Sequence, residues 1–92
     1  MLKIDEKFHL EGETIVKTSN GEVLNPVAEP LIVFRGRDKL ALPMLDYYRY
    51  LCAQDRCTDY QLDVLYRRIA MFRKFKDNNP GSMKQPGVTK GL

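Results

Sequence analysis

One histidine and two cysteines are the residues of this 92-residue chain best suited to nucleophilic, redox or metal chemistry. Their number and spacing support none of the three. His9 stands alone on an alternating segment near the start of the chain, without the partner that a general base or a ligand set requires. Together with Cys52 and Cys57 it falls short of four zinc ligands, and the spacing matches no zinc pattern. A single cysteine pair five residues apart is not the disulfide framework of a small secreted protein either. Both thiols are expected to be reduced, with Cys52 a small core residue. Gly36 alone between Arg35 and Arg37 is far from a Gly-rich phosphate loop, and its plainer reading is a strand-to-helix corner. No catalytic constellation, cofactor, metal or small-molecule substrate is expected.

What remains is the chemistry of surfaces. Arg35, Arg37 and Lys39 cluster at the corner, and Arg67, Arg68, Arg73, Lys74 and Lys76 follow one another along a later segment. Cations near the C-terminus of a helix are favoured by its dipole, which accounts for Arg73, Lys74 and Lys76. It does not account for Arg67 and Arg68 beside Val64, Met71 and Phe75, since apolar anchors ringed by arginine have the composition of an interface. The candidate partner-binding residues are therefore Arg35, Arg37, Lys39, Val64, Arg67, Arg68, Met71, Lys74 and Phe75. The competing readings are that this apolar stripe is covered within the fold, or that the charges form a plain solvated face.

The element that positions most of these residues is Thr58 to Lys76. Thr58-Asp59-Tyr60-Gln61 has the form of a capping box, so a helix should begin at about Asp59. Leu62, Leu65, Ile69 and Phe72 recur at intervals of three and four and mark the core face. Tyr60, Val64, Met71 and Phe75 fall nearly opposite as a second apolar stripe, one more than a helix with a single core needs. A helix before it carries Pro43 in its first turn, with Met44, Leu45, Tyr48, Leu51 and Cys52 on its apolar side and Asp46, Arg49 and Ala53 opposite. The short Gln54 to Cys57 link makes the two helices neighbours. Helix, turn and helix also suggest a DNA-reading pair, but Asp59 and Asp63 in the opening turns would be repelled by phosphate.

In the first half, Phe8 to Glu11 alternates like a half-buried strand, with Gly12-Glu13 a turn or bulge. Thr14 to Ser19 and Glu22 to Leu24 flank Asn20-Gly21, a strong hairpin signal. Asn25-Pro26 and Glu29-Pro30 punctuate a connector, and the apolar run Leu31 to Phe34 is expected as a buried central strand. The fold class is thus α+β: a small antiparallel β-sheet with an N-terminal hairpin, followed by two packed helices on one face. One domain over residues 1–79 is expected, and residues 80–92, interrupted by Pro80, Gly81, Pro86 and Gly87, as a flexible tail.

With 43% hydrophobic and 29% charged residues the chain has an ordinary globular composition. It contains no apolar run of the roughly 20 residues that a membrane span needs and no signal-peptide pattern, so a cytoplasmic setting is expected. Net charge is uneven: residues 1–34 hold three basic against six acidic residues, and residues 35–76 ten against five. The helical half is the basic half, which suits an anionic or nucleoprotein partner.

Pro30-Leu31-Ile32-Val33-Phe34-Arg35-Gly36-Arg37-Asp38-Lys39-Leu40-Ala41 resembles a pattern in small phage and bacterial proteins, in which an apolar strand leads through Arg and Asp-Lys into a helix. The layout of residues 1–80 resembles that of the small phage-encoded anti-CRISPR proteins. That resemblance implies a non-enzymatic inhibitor that docks on a protein–nucleic-acid surveillance complex in a bacterial host and blocks target binding, with direct contacts to guide RNA conceivable. The alternative is a nucleic-acid-binding regulator, homodimeric through the second stripe; a structural phage protein is a third reading. Because the Cys and His inventory builds no site, thermal melts with chelator or with reductant are expected to superimpose on the untreated melt. A drop of more than a few degrees in either would contradict that inventory.

Overall fold

The computed structural model describes residues 2–85. Strands come first and helices after, the expected α+β order. The chain gathers into two compact units, Met1–Val33 and Phe34–Leu92. The change of charge falls at the same place, because the first unit carries three basic against six acidic residues and the second twelve against six.

The first unit is a three-stranded antiparallel sheet in the order β1 (Leu2–Lys3), β2 (Phe8–Glu11) and β3 (Thr14–Lys17). Asp5 reverses the chain between β1 and β2, its Oδ1 accepting from the backbone N–H groups of Lys7 and Phe8, each at 2.8 Å. The short side chain satisfies two donors that a tight turn would otherwise orphan. Between β2 and β3 only Gly12 and Glu13 intervene, with Glu11 opposite Thr14. Gly12 has φ of 63°, a conformation that costs glycine little and other residues more. This is the tight hairpin. Asn20-Gly21 instead lies in a wider loop, where Gly21 at φ 75° donates to Lys17 O at 2.8 Å and Lys17 donates to Glu22 O at 2.7 Å. The returning chain pairs only through the isolated bridge of Val16 with Val23. His9 and Val16, directly paired across β2 and β3, are the buried residues of the unit.

Leu31 to Phe34 does not form the expected central strand. Ile32 and Val33 are 77% and 78% exposed, and among the described residues no main-chain hydrogen bond reaches Leu31, Ile32, Val33 or Phe34. β-Propensity measures how well side chains suit a paired, half-covered surface, and among the described residues no strand lies beside this run to supply one. Asn25 forms that turn by accepting from Val27 through its side chain at 2.9 Å and from Glu29 through its carbonyl at 2.9 Å.

The second unit is built on α1 (Ala41–Gln54) and α2 (Asp59–Asn78). Their junction leaves few backbone groups unsatisfied. Arg56 takes the left-handed conformation at φ 62°, Cys57 N–H donates to Cys52 O at 3.0 Å and Arg56 N–H to Ala53 O at 3.2 Å. This is the Schellman pattern, formed here without glycine. The predicted capping box follows at once: Gln61 N–H donates to Thr58 Oγ1 at 3.1 Å, and Thr58 N–H to Gln61 Oε1 at 2.8 Å. Ala41, Leu42 and Ile69 are buried, and Leu45, Leu62, Leu65 and Phe72 are half-buried. The core face predicted for α2 is thereby present.

The expected apolar side of α1 is covered only in part. Met44, Leu45 and Cys52 are half-buried, but Tyr48 and Leu51 are exposed. Asp46 and Arg49 are exposed, as expected, and also reach α2 at the surface: Arg73 lies 3.5 Å from the Asp46 carboxylate, and the Arg49 guanidinium lies 5.4 Å from the centre of the Tyr66 ring. Beyond α2, Pro80–Ser82 forms a 3-10 turn, and Lys84 bridges back in parallel to Asp38, donating to Arg37 O at 3.0 Å and accepting from Lys39 N–H at 2.8 Å. The tail expected to be flexible from Pro80 is structured through this bridge, and residues 86–92 lie outside the described part.

Ile69 is 2% exposed whereas Met71 is 58% exposed on the same helix. Ile69→Ala is expected to cost about 2–5 kcal/mol, Thr58→Ala about 1 kcal/mol through the lost cap, and Met71→Ala less than about 0.5 kcal/mol. Urea titrations followed by helical circular dichroism measure all three, and a Met71 cost equal to that of Ile69 would mean the second stripe is core.

Candidate interaction surface

The nine residues singled out from sequence all belong to the second unit, and the structure draws two of their clusters together. Gly36 lies against Phe75: a Cβ built on Gly36 would sit 3.2 Å from Cγ of that ring. The corner of Arg35 and Arg37 therefore adjoins the C-terminal half of α2. Arg35, Lys39, Arg67, Met71 and Lys74 are exposed, whereas Arg37, Val64 and Arg68 are half-buried. Phe75, covered in part by the corner, retains 38% of its surface. The second stripe is thus neither wholly covered nor wholly free. Its Val64 and Phe75 flank is partly occupied by the chain itself, and its Tyr60 and Met71 flank is open.

Charge within the set is also unequal. Arg67 pairs with Asp63 one turn earlier at 2.6 Å, an exposed pair of the kind worth a few tenths of a kcal/mol. Arg73 is directed to Asp46. No salt bridge engages Arg35, Arg37, Lys39, Arg68 or Lys74 among the described residues. Lys84, which falls in the tail expected to be flexible, is an addition: its backbone bridge puts a further cation beside Arg37 and Lys39. Only strand pairing between residues far apart in the chain places it there, so no local pattern announces it.

A larger omission is the outer face of α1. At 100° per residue, Leu40, Pro43, Tyr47, Tyr50, Leu51 and Gln54 share one side of the helix, and all six are exposed. None is charged. The Tyr47 and Tyr50 rings stack with centroids 6.0 Å apart and planes 19° from parallel, within the range of aromatic pair contacts. All five tyrosines of the chain, at positions 47, 48, 50, 60 and 66, lie on the two helices and are more than half exposed. The Cys52 thiol one turn below Tyr48 raises the Tyr48 hydroxyl above its ordinary pKa, first by charge and then by hydrogen bonding, with burial and Cys57 adding to it. The signal was present in the sequence as Tyr47-Tyr48-Arg49-Tyr50, but the reading of α1 placed Tyr48 and Leu51 on its inner side.

Elsewhere, His9 Nδ1 lies 2.8 Å from Thr18 Oγ1 and its Nε2 3.7 Å from Glu11 Oε1. A hydroxyl, an imidazole and a carboxylate in that order have the makings of nucleophilic chemistry, but the ring is 6% exposed and its Nδ1 is engaged in tying β2 to the loop after β3. That placement fits a structural role. No helix among the described residues is long and apolar enough to cross a membrane. Comparison with protein families, characterised proteins and solved structures finds no match for the chain.

The corner contact makes its own prediction. Gly36→Ala is expected to displace the Phe75 ring and to lower stability by about 1 kcal/mol, within the range for overpacking. Gly36→Ala combined with Phe75→Leu should recover most of that loss, and chemical denaturation of the two variants checks it. Equal loss in both would mean the ring does not press on the corner.

Proposed function

We propose that the chain is a non-catalytic docking protein that acts by covering a surface of a protein–nucleic-acid assembly. The observation that carries this reading is the uncharged, tyrosine-rich outer face of α1 on a unit with twelve basic and six acidic residues. Exposed aromatic anchors together with arginine and lysine have the composition of binding hot spots and their rim. A partner surface that suits them is apolar at its centre and acidic at its edge. Protein carboxylates and nucleic-acid phosphates both supply such an edge, and a nucleoprotein offers the two side by side.

The specific form of the proposal is the anti-CRISPR type, in which occlusion of an RNA-guided surveillance complex prevents it from binding its target. Arg35, Lys39 and Lys74 are the cations best placed to meet guide RNA or acidic side chains, since Arg67 is already held by Asp63. They contribute chiefly to the rate and register of encounter. Tyr47, Tyr50 and Leu51 supply the buried contact. The first unit, with its acidic surplus, would repel bare nucleic acid and bias the chain towards assemblies that also present protein.

Titration of the purified chain against duplex DNA, single-stranded RNA and a panel of assembled RNA-guided complexes at about physiological salt tests the reading. Weak binding to the bare nucleic acids and submicromolar binding to a complex are expected. Tyr47→Ala with Tyr50→Ala should weaken the latter at least about tenfold without changing the melt. Arg35→Glu with Lys74→Glu should slow association and flatten its salt dependence. Submicromolar binding to bare DNA or RNA, falling steeply with salt, would instead identify a nucleic-acid-binding regulator.

A further inference from the structure

The run Leu31 to Phe34, which the proposed docking does not use, has the composition of a strand and the surroundings of none. Three of its four side chains are exposed and its backbone groups have no main-chain partner among the described residues. Such a run is a template for pairing with another chain. Its flanks carry charges of opposite sign. Glu29 precedes it, Arg35 and Arg37 follow it, and Glu29 and Arg35 are exposed.

We infer that Leu31 to Phe34 pairs with the same segment of a second copy, antiparallel across a two-fold axis, to form a two-stranded ribbon. The register that centres the axis between Ile32 and Val33 puts Leu31 opposite Phe34 and Ile32 opposite Val33. Glu29 then stands opposite Gly36 of the second copy, between its Arg35 and Arg37. Symmetry repeats this contact at the other end of the ribbon. A parallel pairing would set arginine against arginine and glutamate against glutamate, and opposed like charges destabilise a strand pair. Pro30, which cannot donate, falls at the end of the ribbon, where proline is tolerated. Each face of the ribbon receives two apolar side chains from each copy, because directly opposed residues point to the same side. A lone two-stranded ribbon is marginal in water, so association is expected to be weak, with a micromolar-to-millimolar dissociation constant, and to add avidity when two copies sit on one assembly.

Sedimentation equilibrium of the full chain over a range of concentrations, with amide hydrogen exchange at residues 31–34, tests the pairing. Concentration-dependent dimerisation, with slower exchange at these amides as dimer accumulates, is expected. Glu29→Arg alone should weaken the dimer about tenfold or more, as should Arg35→Glu with Arg37→Glu. Mixing those two variants should restore association, because each end then again joins acid to base. Far-ultraviolet circular dichroism confirms that each variant keeps its fold. A chain that stays monomeric at millimolar concentration overturns the inference. A dimer indifferent to these charges also overturns it, and would place the contact on the tyrosine face of α1.

Discussion

The turn between the helices constrains everything in the second unit. Within a few residues it closes α1 through Arg56 and Cys57 and opens α2 through Thr58 and Gln61. Because each of these backbone groups would be costly to leave unpaired, the chain has little freedom to change where one helix stops and the next starts. The interhelical register follows: Asp46 meets Arg73 and Arg49 meets Tyr66. Both pairs are exposed, so they join α1 to α2 at the rim of the helix contact. Tyr47, Tyr50 and Leu51 lie on another side of α1 and are exposed as well.

This explains which parts of the fold are legible in the sequence. α2 is announced by short-range physics alone, since the capping residues and the 62, 65, 69, 72 spacing act within a turn or two, and the structure has them as read. The hairpin was assigned to Asn20-Gly21, the stronger local signal, yet Gly12-Glu13 makes the tight turn and Asn20-Gly21 a looser one. Both glycines adopt positive φ. Dipeptide preference identifies where the chain can reverse, but cross-strand register decides how closely it does so. Leu31 to Phe34 is the converse case, in which local preference for extended structure is strong and no partner strand is supplied.

The candidate surface divides in the same way. Charge was countable in advance, and its division falls at the boundary between the compact units. Arg67 and Met71 are exposed on α2 as the helical wheel requires. The coverage of Phe75 by Gly36, the backbone bridge at Lys84 and the approach of Arg49 to Tyr66 depend on contacts between distant residues, and a one-dimensional pattern does not contain them. For α1, apolar residues occur on nearly all sides, so its wheel has no single best face. An arginine can place its head on a ring at the surface, as exposed Arg49 does with Tyr66, and no spacing rule for a single helix contains that contact.

The parallel bridge of Lys84 with Asp38 also bears on how the helical unit is connected. By joining the approach to α1 to the exit from α2, it sets the entry and exit points of the helix pair side by side. Elements whose ends meet in this way can be grafted into a loop of another protein with little distortion of the host, or reconnected in a new order by a short linker across the ends. The helix pair is in this sense a closed cassette. Its chain order is incidental to its shape, and its exposed tyrosine face is portable between scaffolds.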